Sequence, residues 1–411
     1  MNVEQCSPGP LTGLRILDLS RVLAGPVCTQ LLGDLGAEVI KVEQPGKGDD
    51  TRCWGPPFVV DAQGRNTTES AYYLAANRNK RSLTIDLSVS DGQSLLRQLA
   101  LRSDVVIENF KVGTMAKFNL DYNRLQDNHK ELVYCSISGF GQDGPYAQRP
   151  GYDFLVQAMG GLMSLGGPVD AAPSKTGVAI ADIMCGMYAT VAIQAAIRHC
   201  DITGQGQYID VALLDTQLAW LANVGSSYLL SGQKPERFGN GHPSIVPYDI
   251  FPVADGHMAL AVGNDRQFSR LCQFIGAERL AQDTRFISNM LRVKHRQQLH
   301  PLLCERLIVK PSEYWIQGLN RLEVPCGPVN TVDQAFADPQ VQHRKMVISI
   351  PYSDAAGGEI KMVANPLKFS ATPVRYSLSP PKLGQDSDVV LQSVLGLDTE
   401  AIAKLREQGV I

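Results

Sequence analysis

Residues 14–42, LRILDLSRVLAGPVCTQLLGDLGAEVIKV, decide the fold class. The apolar run at 14–19 predicts a β-strand, and the pattern at 26–35 predicts a helix with a proline in its first turn. A second apolar run at 38–42 predicts another strand. A strand, a helix and a strand in this order form a right-handed βαβ unit, in which the two strands are parallel.

The same unit recurs further along the chain. A strand at 82–87, a helix at 92–101 and a strand at 104–108 repeat it, and residues 132–137 add one more strand. Strands that alternate with helices predict an α/β protein with a Rossmann-like parallel sheet covered on both faces. Because ligands bind beyond the carboxyl ends of such strands, we expect a site near three loops, at 20–25, 109–113 and 138–141.

The sequence changes in character after residue 222. A nearly uncharged stretch at 177–198 predicts a central helix that is buried on all sides. After a turn-rich segment, a strand at 258–262 and short amphipathic helices at 265–324 predict a smaller α+β domain. We therefore predict a large α/β domain that begins with residues 1–222, a small domain with its linkers at 223–335, and a C-terminal segment at 336–411 that returns to the large domain.

Composition excludes several classes of protein. The chain has 411 residues, 44% of them hydrophobic, which is typical of a globular protein with a sizeable core. Its 38 Lys and Arg residues are balanced by 41 Asp and Glu residues, and no basic tract stands out, so nucleic acid is not an expected partner. Glycines interrupt the uncharged stretch at 154–169, which is shorter than the roughly 20 apolar residues of a membrane span, so we expect no membrane partner either.

The cysteines and the first residues of the chain indicate a compartment. Nine cysteines are scattered along the sequence with no C-x-x-C pair, which is typical of reduced thiols. The first eight residues do not have the basic and then apolar pattern of a signal peptide. We expect a cytoplasmic protein.

No motif for a tightly bound cofactor or a metal stands out. The loop after the first predicted strand holds one glycine, Gly25, where the dinucleotide motif G-x-G-x-x-G needs three. A P-loop motif is also missing, and the seven histidines show no ligand spacing on one helix face. We expect neither a metal nor a tightly held cofactor.

Asp182 is the most conspicuous candidate for chemistry. It is the only charged residue between Lys175 and Arg198, and it lies near the start of the long apolar helix, among small residues. Backbone N–H groups at a helix N-terminus favour an ionised carboxylate, which can attack an activated acyl group. The alternative is an aspartate that only caps the helix.

Several motifs resemble those of the family III CoA-transferases, which include formyl-CoA transferase and carnitine CoA-transferase. Their order along the chain is similar from residue 11 to residue 385. The motifs in this sequence are LTGLRILDLSRVLAGP at 11–26, LGDLGAEVIKVE at 32–43, GDDTR at 48–52, NKRS at 79–82, ENF at 108–110, GFGQ at 139–142, AD at 181–182, CGP at 326–328 and PPKLGQ at 380–385.

The resemblance implies a covalent mechanism and a CoA site. The catalytic aspartate of the family corresponds to Asp182, which would form an anhydride with the acyl group and then a thioester with CoA. Gln44 replaces the arginine that formyl-CoA transferase has after its Val-Glu pair, so Lys117 or the basic cluster at 78–81 would hold the phosphates instead. Asp386 replaces a histidine of the family. The positions that correspond to CoA contacts are Leu23, Ala24, Asn109, Phe110, Lys111, Lys117, Tyr152 and Asp153.

Within the family, the chain most resembles the succinate–hydroxymethylglutarate CoA-transferases, which move CoA from succinyl-CoA to short dicarboxylates such as glutarate. This resemblance rests on residues 21–26, 48–57, 151–153 and 242–248. It implies that a cation binds the second carboxylate of the acceptor, and Arg52 and His242 are our candidates. Gly239 and Gly241 correspond to the loop that covers the intermediate in formyl-CoA transferase.

Other activities are open at this point. A formyl-CoA:oxalate transferase, an α-methylacyl-CoA racemase of the same fold and a CoA-binding protein without catalysis are the alternatives. The racemases carry a Gly-His-Asp motif where this chain has Gly151, Tyr152 and Asp153, which disfavours racemisation. Family members also form interlocked homodimers, so the resemblance implies a homodimer in which each chain passes through a ring formed by the other.

Overall fold

The computed structural model describes residues 8–411 and divides them into two compact units. The first unit contains residues 8–161, 176–225 and 342–411, and the second contains residues 162–175 and 226–341. The segment 162–175, which we placed with the N-terminal part of the large domain, thus groups with the second unit. The first residues of the chain, including Cys6 and the stretch inspected for a signal peptide, lie outside the described residues up to position 7.

The first unit is built on a six-stranded parallel sheet with the strand order β5-β2-β1-β6-β7-β8. The predicted α/β class is therefore confirmed. From β1 the chain adds β2 and β5 on one side, and it then adds β6, β7 and β8 on the other side of β1. The switch point of the sheet therefore lies between β1 and β6. The strands of the whole protein are β1 Arg15–Asp18, β2 Glu38–Glu43, β3 Phe58–Val60, β4 Asn66–Ser70, β5 Lys80–Thr84, β6 Val105–Glu108, β7 Val133–Ser138, β8 Tyr208–Ala212, β9 Tyr248–Val253, β10 Gly256–Ala261, β11 Cys326–Pro328, β12 Val347–Pro351 and β13 Glu359–Val363.

Helices cover both faces of this sheet. The helices of residues 8–411, in both units, are α1 Ala24–Asp34, α2 Ala71–Ala75, α3 Ser90–Ala100, α4 Thr114–Lys117, α5 Tyr122–Gln126, α6 Asp153–Met159, α7 Leu162–Leu165, α8 Ile180–Thr203, α9 Leu213–Ala219, α10 Ala222–Ser231, α11 Asp265–Phe274, α12 Glu278–Gln282, α13 Asn289–Lys294, α14 Arg296–Leu307, α15 Ser312–Arg321, α16 Val332–Ala337, α17 Pro339–His343, α18 Ser387–Leu395 and α19 Thr399–Glu407. Asp50–Cys53 forms a short 3-10 helix.

Alternate residues of each strand point into two separate cores. Leu17 contributes to the core that includes α3, α18 and α19, whereas its neighbour Ile16 contributes to the core that includes α1 and α8. This alternation is what a strand between two helical layers requires. The strands β1, β2, β5, β6 and β7 were predicted to within three residues at each end, because their apolar runs fill both layers, whereas the edge strand β8 was not predicted.

The C-terminal segment completes the first unit. Asp386 and Ser387 hydrogen-bond to β5, since the backbone N–H of Ser82 donates to Asp386 Oδ2 at 3.0 Å and Thr84 N–H donates to Ser387 Oγ at 3.3 Å. The residue that departs from the histidine of the family thus anchors α18 to the edge strand. Val390 and Leu391 of this helix are fully buried in the core beside α3.

The second unit has its own core. Strands β9, β10 and β11 form an antiparallel sheet, and α11 to α15 contribute apolar residues to the same cluster. Phe251, Phe268 and Phe286 are fully buried in it. The predicted strand at 258–262 and the predicted short helices at 265–324 are confirmed as β10 and as α11 to α15.

Helix α8 differs from the prediction of a helix buried on all sides. Cys185, Ala189 and Ile193 are fully buried on the side that packs in the first unit, but Val191 is 62% and Ile202 is 65% exposed on the other. Its 24 residues are long and apolar enough to span a membrane by length and composition alone. An apolar sequence around the whole helix does not reveal which side packs within the same chain, and the side that includes Val191 and Ile202 is left exposed.

Candidate active site

A cavity of about 350 Å³ lies in the first unit at the carboxyl ends of β1, β6 and β7. This is the switch point of the sheet, where the sequence predicted a ligand site. Three strand-end loops and the start of α8 surround it. The lining residues that we had selected from the sequence are Leu23, Ala24, Asn109, Phe110, Lys111, Tyr152 and Asp182.

The loop after β1 forms the first wall. Leu23 precedes α1, and the backbone N–H groups of Leu23 and Ala24 have no hydrogen-bond acceptor among residues 8–411. Unpaired N–H groups of this kind are expected at the start of a helix, where they carry partial positive charge. This wall of the cavity can therefore hydrogen-bond to an oxygen that acquires negative charge.

The loop after β6 forms the second wall and holds the first in place. The Asn109 side chain accepts a hydrogen bond from the backbone N–H of Arg21 at 2.9 Å and donates one to the Arg21 carbonyl at 2.7 Å. The buried Glu108 carboxylate accepts from the Phe110 N–H at 2.8 Å. Burial raises the pKa of Glu108 to about 7. The Asn109 side chain thus links the loop after β6 to the loop after β1.

The loop after β7 reaches the cavity because two glycines let its backbone cross itself. A Cβ atom on Gly139 would lie 2.6 Å from the Cα of Gly151, and one on Gly151 would lie 2.4 Å from the Cα of Gly139. No side chain fits at either position. The crossing carries Arg149 and Tyr152 to the cavity, and Tyr152 is 61% exposed there.

Gly186 allows α8 to approach α1 closely, and this places Asp182 in the cavity. A Cβ atom on Gly186 would lie 2.5 Å from the carbonyl oxygen of Ala24. Asp182 is one helical turn before Gly186, so it lies on the same side of α8. Its side chain is only 8% exposed, and no described residue donates a hydrogen bond to its carboxylate.

The capping alternative for Asp182 is wrong. The residue before the first turn of α8 is Ala179, and the carboxylate that caps this turn belongs to Asp153, which accepts from the Ala181 N–H at 2.8 Å. The other Asp153 oxygen accepts from Gln157 Nε2 at 2.8 Å. Both oxygens of Asp153, a predicted CoA contact, are therefore used within the protein, and Asp182 is left without a capping role.

The environment of Asp182 also reverses our expectation for its charge. Burial, and then the nearby negative charge of Asp153, raise the pKa of Asp182 to about 7. The helix N-terminus favours the anion, but loss of water outweighs it in this cavity. A poorly solvated carboxylate is more reactive as a nucleophile than one that is hydrogen-bonded.

This electrostatic arrangement predicts a pH dependence for any reaction in which the Asp182 anion attacks. We expect kcat/KM to rise with pH through the pKa of Asp182, because only the ionised form is a nucleophile. Asp153→Asn keeps an oxygen for the Ala181 N–H and removes the negative charge, so the midpoint should move to lower pH. Initial rates across a pH series measure this. Asp201→Asn, at the exposed end of the same helix, is the control, and an unmoved midpoint in Asp153→Asn would contradict the electrostatic role.

Other predicted site residues lie elsewhere. Lys117 is exposed at the end of α4 and does not line this cavity. Gly239, Gly241 and His242 belong to the second unit, where Gly241 and His242 line a separate cavity of about 470 Å³ with Tyr248, Arg296 and His300. In that unit, the His242 Nδ1 accepts a hydrogen bond from the Ser244 N–H at 3.0 Å.

Arg52 is not available to a substrate, contrary to our prediction. It is 4% exposed, and its guanidinium donates to Glu43 at 2.9 and 2.8 Å, to Glu69 at 3.0 Å and to the Pro381 carbonyl at 3.1 Å. It also donates to the Tyr73 hydroxyl at 2.6 Å. Its charge is neutralised inside the first unit, so it acts as a structural ion-pair residue.

The basic cluster at 78–81 is also wrong as a phosphate site. Arg78 is buried and bonds to both Asp34 oxygens at 2.9 and 2.6 Å, and Lys80 is buried beside Asp18 at 3.2 Å. Arg81 is paired with Glu38 at 3.4 Å. Acidic partners from distant parts of the sequence neutralise this cluster, and the pairs of Arg78 and Lys80 are internal.

Sequence reasoning missed two cations of the cavity. Arg21 and Arg149 both line it with Lys111. Arg21 is paired with Asp50 at 3.1 Å, but its buried Nε has no partner, whereas Arg149 lies 3.9 Å from the centre of the Tyr146 ring and has no carboxylate partner among the described residues. Arg21 lies in the predicted ligand loop at 20–25, which was the available signal, whereas Arg149 is eleven residues beyond the end of β7 and had no such signal.

The fold and this cavity together define an α/β protein with a cavity at the switch point of its parallel sheet. The family described as "CoA-transferase family III" matches residues 11–387. The chain belongs to the family III CoA-transferases, which confirms the resemblance found in its motifs.

Relatives and solved structures support this over nearly the whole length. A succinate–glutarate CoA-transferase of Agrobacterium fabrum is 47% identical over 392 residues, which are 95% of this chain and 97% of the relative. A human succinyl-CoA:glutarate CoA-transferase is 40% identical over 98% of this chain and 90% of its own. The crystal structure of a CaiB/BaiF family protein from Brucella suis is 44% identical, with a TM-score of 0.83 over 94% of this chain and 100% of that structure.

Proposed function

We propose that this enzyme moves CoA from succinyl-CoA to a short dicarboxylate, such as glutarate, hydroxymethylglutarate or itaconate, through covalent intermediates on Asp182. The observation that carries the proposal is the buried Asp182 carboxylate, which lines the cavity and receives no hydrogen bond from the described residues. The two CoA-transferases compared above act, by their names, on succinate or succinyl-CoA and glutarate.

In the first half of the reaction, an Asp182 oxygen attacks the thioester carbon of succinyl-CoA. The carbon–sulfur bond breaks, CoA leaves as a thiolate, and a mixed anhydride of Asp182 and succinate remains. The thiolate then attacks the Asp182 carbonyl carbon, the anhydride bond breaks, and succinate leaves. The product is a thioester between Asp182 and CoA, and no net proton is consumed.

The second half runs in the opposite sense with the acceptor. A carboxylate of the dicarboxylate attacks the Asp182 thioester, which releases the CoA thiolate and forms a second anhydride. The thiolate attacks the acceptor carbonyl carbon, and the Asp182 carboxylate is regenerated. Every step exchanges one activated acyl group for another, so the route avoids the energy loss of hydrolysis provided that water is kept from the intermediates.

The wall formed by Leu23 and Ala24 supports this chemistry. Each attack on a carbonyl carbon places negative charge on its oxygen, and preorganised N–H groups are the usual means of stabilising that charge. Leu23 and Ala24, whose N–H groups are unpaired among the described residues, line the same cavity as Asp182. We assign them to the oxygen of the tetrahedral intermediates.

Two neighbouring cavities that share lining residues suit the two ends of an acyl-CoA. A smaller cavity of about 210 Å³, near the ends of β1 and β2, shares Arg21 and Phe110 with the larger one and includes Gln44 in its wall. We place the thioester end beside Asp182 and the nucleotide end toward the smaller cavity. Arg21, Lys111 and Arg149 supply positive charge for the phosphates in place of the buried cluster at 78–81.

The role of Arg149 can be tested by removing its charge. We expect Arg149→Gln to raise the KM for succinyl-CoA about tenfold, because a hydrogen bond to a charged group contributes about 1.5–3 kcal/mol. Steady-state kinetics at constant salt concentration measure this change. Arg149→Lys should retain most of the affinity, and Arg65→Gln, an exposed residue paired with Asp61, should change nothing. A KM for Arg149→Gln equal to that of the native enzyme would remove Arg149 from the CoA site.

The second carboxylate of the acceptor still requires a cation. His242 remains our candidate from the sequence, with the loop at Gly239 and Gly241 as the segment that covers the intermediate. The charge of Arg52 is already compensated within the first unit, so Arg52 is no longer a candidate.

We also propose that the enzyme works as a homodimer in the cytoplasm and without a tightly bound cofactor. The exposed apolar side of α8, which includes Met187, Tyr188 and Val191, supports a second copy of the chain as its cover. An interlocked arrangement is our expectation for this dimer. Sedimentation at several concentrations should give twice the monomer mass of 44.7 kDa, and a monomer would contradict the proposal.

The decisive test of function is acyl-CoA exchange followed by mass spectrometry. Succinyl-CoA is incubated with the enzyme and with glutarate, hydroxymethylglutarate, itaconate, oxalate or carnitine in separate reactions. We expect the CoA ester of a dicarboxylate to form while succinate is released. If oxalate or carnitine is the only acceptor, the family assignment stands and the proposed specificity is wrong.

A further inference from the structure

Val22 has a backbone conformation that its side chain disfavours. Its φ angle is +72°, in the left-handed region, where a β-branched residue is a genuine outlier. Such a conformation costs about 1–3 kcal/mol and persists only where the surroundings hold it. Val22 lines the cavity immediately before Leu23 and Ala24, so its conformation sets the direction of their N–H groups.

The group that holds Val22 is a buried carboxylate outside the cavity. The Val22 N–H donates to Asp49 Oδ1 at 3.2 Å. The other oxygen, Asp49 Oδ2, accepts from Lys41 Nζ at 2.9 Å, and both residues are 1% exposed or less. Burial opposes ionisation, but the charge of Lys41 and hydrogen bonds from Lys41 and Thr51 lower the pKa of Asp49 to about 2, so Asp49 is anionic.

The same lysine holds the residue before the strained loop. Lys41 Nζ also donates to the carbonyl oxygen of Ser20 at 2.9 Å. Asn109 fixes the backbone of Arg21 between these two points. The loop from Ser20 to Val22 is therefore held by three separate side chains, and only Asn109 lies in the cavity wall.

We propose that Asp49, paired with Lys41, is a positioning residue that keeps Val22 in its left-handed conformation and thereby aims the N–H groups of Leu23 and Ala24 at the reacting carbonyl. Asp49 does not line the cavity of Asp182, and its contact with the loop that does is the hydrogen bond from Val22. It borders the smaller cavity that we assign to the nucleotide end, but it is only 1% exposed there. This inference rests on the proposed function for its kinetic consequence, but its structural part can be measured without any activity.

The kinetic test is a pair of substitutions that interact. Asp49→Asn should lower kcat about tenfold to a hundredfold with little change in the KM for succinyl-CoA, since misplaced donors weaken the transition state more than binding. Adding Val22→Gly should recover most of this loss, because glycine adopts a positive φ without being forced. Asp34→Asn is the matched control: Asp34 is equally buried and paired with Arg78, so its loss should lower the melting temperature without lowering kcat.

The activity-independent test is hydrogen exchange of the peptide that contains residues 20–25. Asp49→Asn should accelerate its exchange, and Asp34→Asn should not. If Asp49→Asn alone does not fold, Lys41→Met combined with Asp49→Asn removes the unpaired buried charge and takes its place. Unchanged exchange, a native kcat in Asp49→Asn, or no recovery on adding Val22→Gly would each overturn the proposal. If the native enzyme transfers no CoA, the proposed function is refuted. Hydrogen exchange of residues 20–25 would then still decide the role of Asp49.

Discussion

Asp182→Ala is expected to abolish CoA transfer, with a fall in kcat of at least about a thousandfold. The reason is that the proposed route has no other enzyme nucleophile: the two anhydrides and the CoA thioester are all formed on this carboxylate. The measurement is the formation of glutaryl-CoA from succinyl-CoA by mass spectrometry. With the native enzyme, a peptide that contains Asp182 should also carry the mass of a bound intermediate when the reaction is quenched early.

Asp201→Ala is the control for this result, because Asp201 lies at the exposed far end of the same helix. It should retain native activity. If Asp182→Ala still forms glutaryl-CoA at a native rate, the covalent route is wrong. If native enzyme transfers no CoA but exchanges the α-proton of a 2-methylacyl-CoA with deuterium from solvent, the fold assignment stands and the chemistry is that of a racemase.

Asp182→Asn gives a second readout of the same environment. The pKa of Asp182 in the folded enzyme, about 7, is above its ordinary value in an unfolded chain. Between these two values the folded state binds more protons, so this carboxylate makes the folded enzyme less stable as the pH rises. The asparagine variant has no such loss and should therefore gain in melting temperature relative to the native enzyme as the pH is raised through 7.

Arg52→Ala is expected to destabilise the enzyme by about 3–5 kcal/mol, which is the usual effect of removing one partner of a buried ion pair. The substitution leaves the buried carboxylates of Glu43 and Glu69 without the guanidinium that neutralises them. Thermal and urea unfolding measure the loss. In the fraction that remains folded, the KM for dicarboxylates should not change.

The comparison with an exposed arginine separates burial from charge. Arg65→Ala removes an equally direct contact, at 2.8 Å to Asp61, but the Arg65 side chain is 73% exposed, so the loss should be at most about 1 kcal/mol. Arg52→Lys keeps the charge but not the planar set of donors and should fall between the two. A selective rise in the KM for glutarate in Arg52→Ala, without loss of stability, would return Arg52 to the substrate site.

The order of most secondary-structure elements and the position of the cavity could be predicted from the sequence. Apolar runs of strand length, separated by helical patterns, fix the layers of an α/β fold because the periodicity is local. The carboxyl ends of those strands then mark the ligand side, and the loops that follow them contain Asn109, Lys111 and Tyr152, which do line the cavity. Asp182 was conspicuous because burying a single charge in a long apolar helix costs free energy, so its presence there indicates a function.

Only the tertiary structure decided which charged residues are paired inside the protein and which are available to a substrate. Arg52 and the carbonyl of Pro381 are 329 positions apart, and Arg78 and Asp34 are 44 apart, yet these contacts decide that both arginines are structural. In the same way, Asp153 takes the capping role from Asp182, and Asp49 holds Val22 in its strained conformation. The physical reason is that a charge is assigned its role by its partners and by its exclusion from water, and both depend on segments that meet only when the chain has folded.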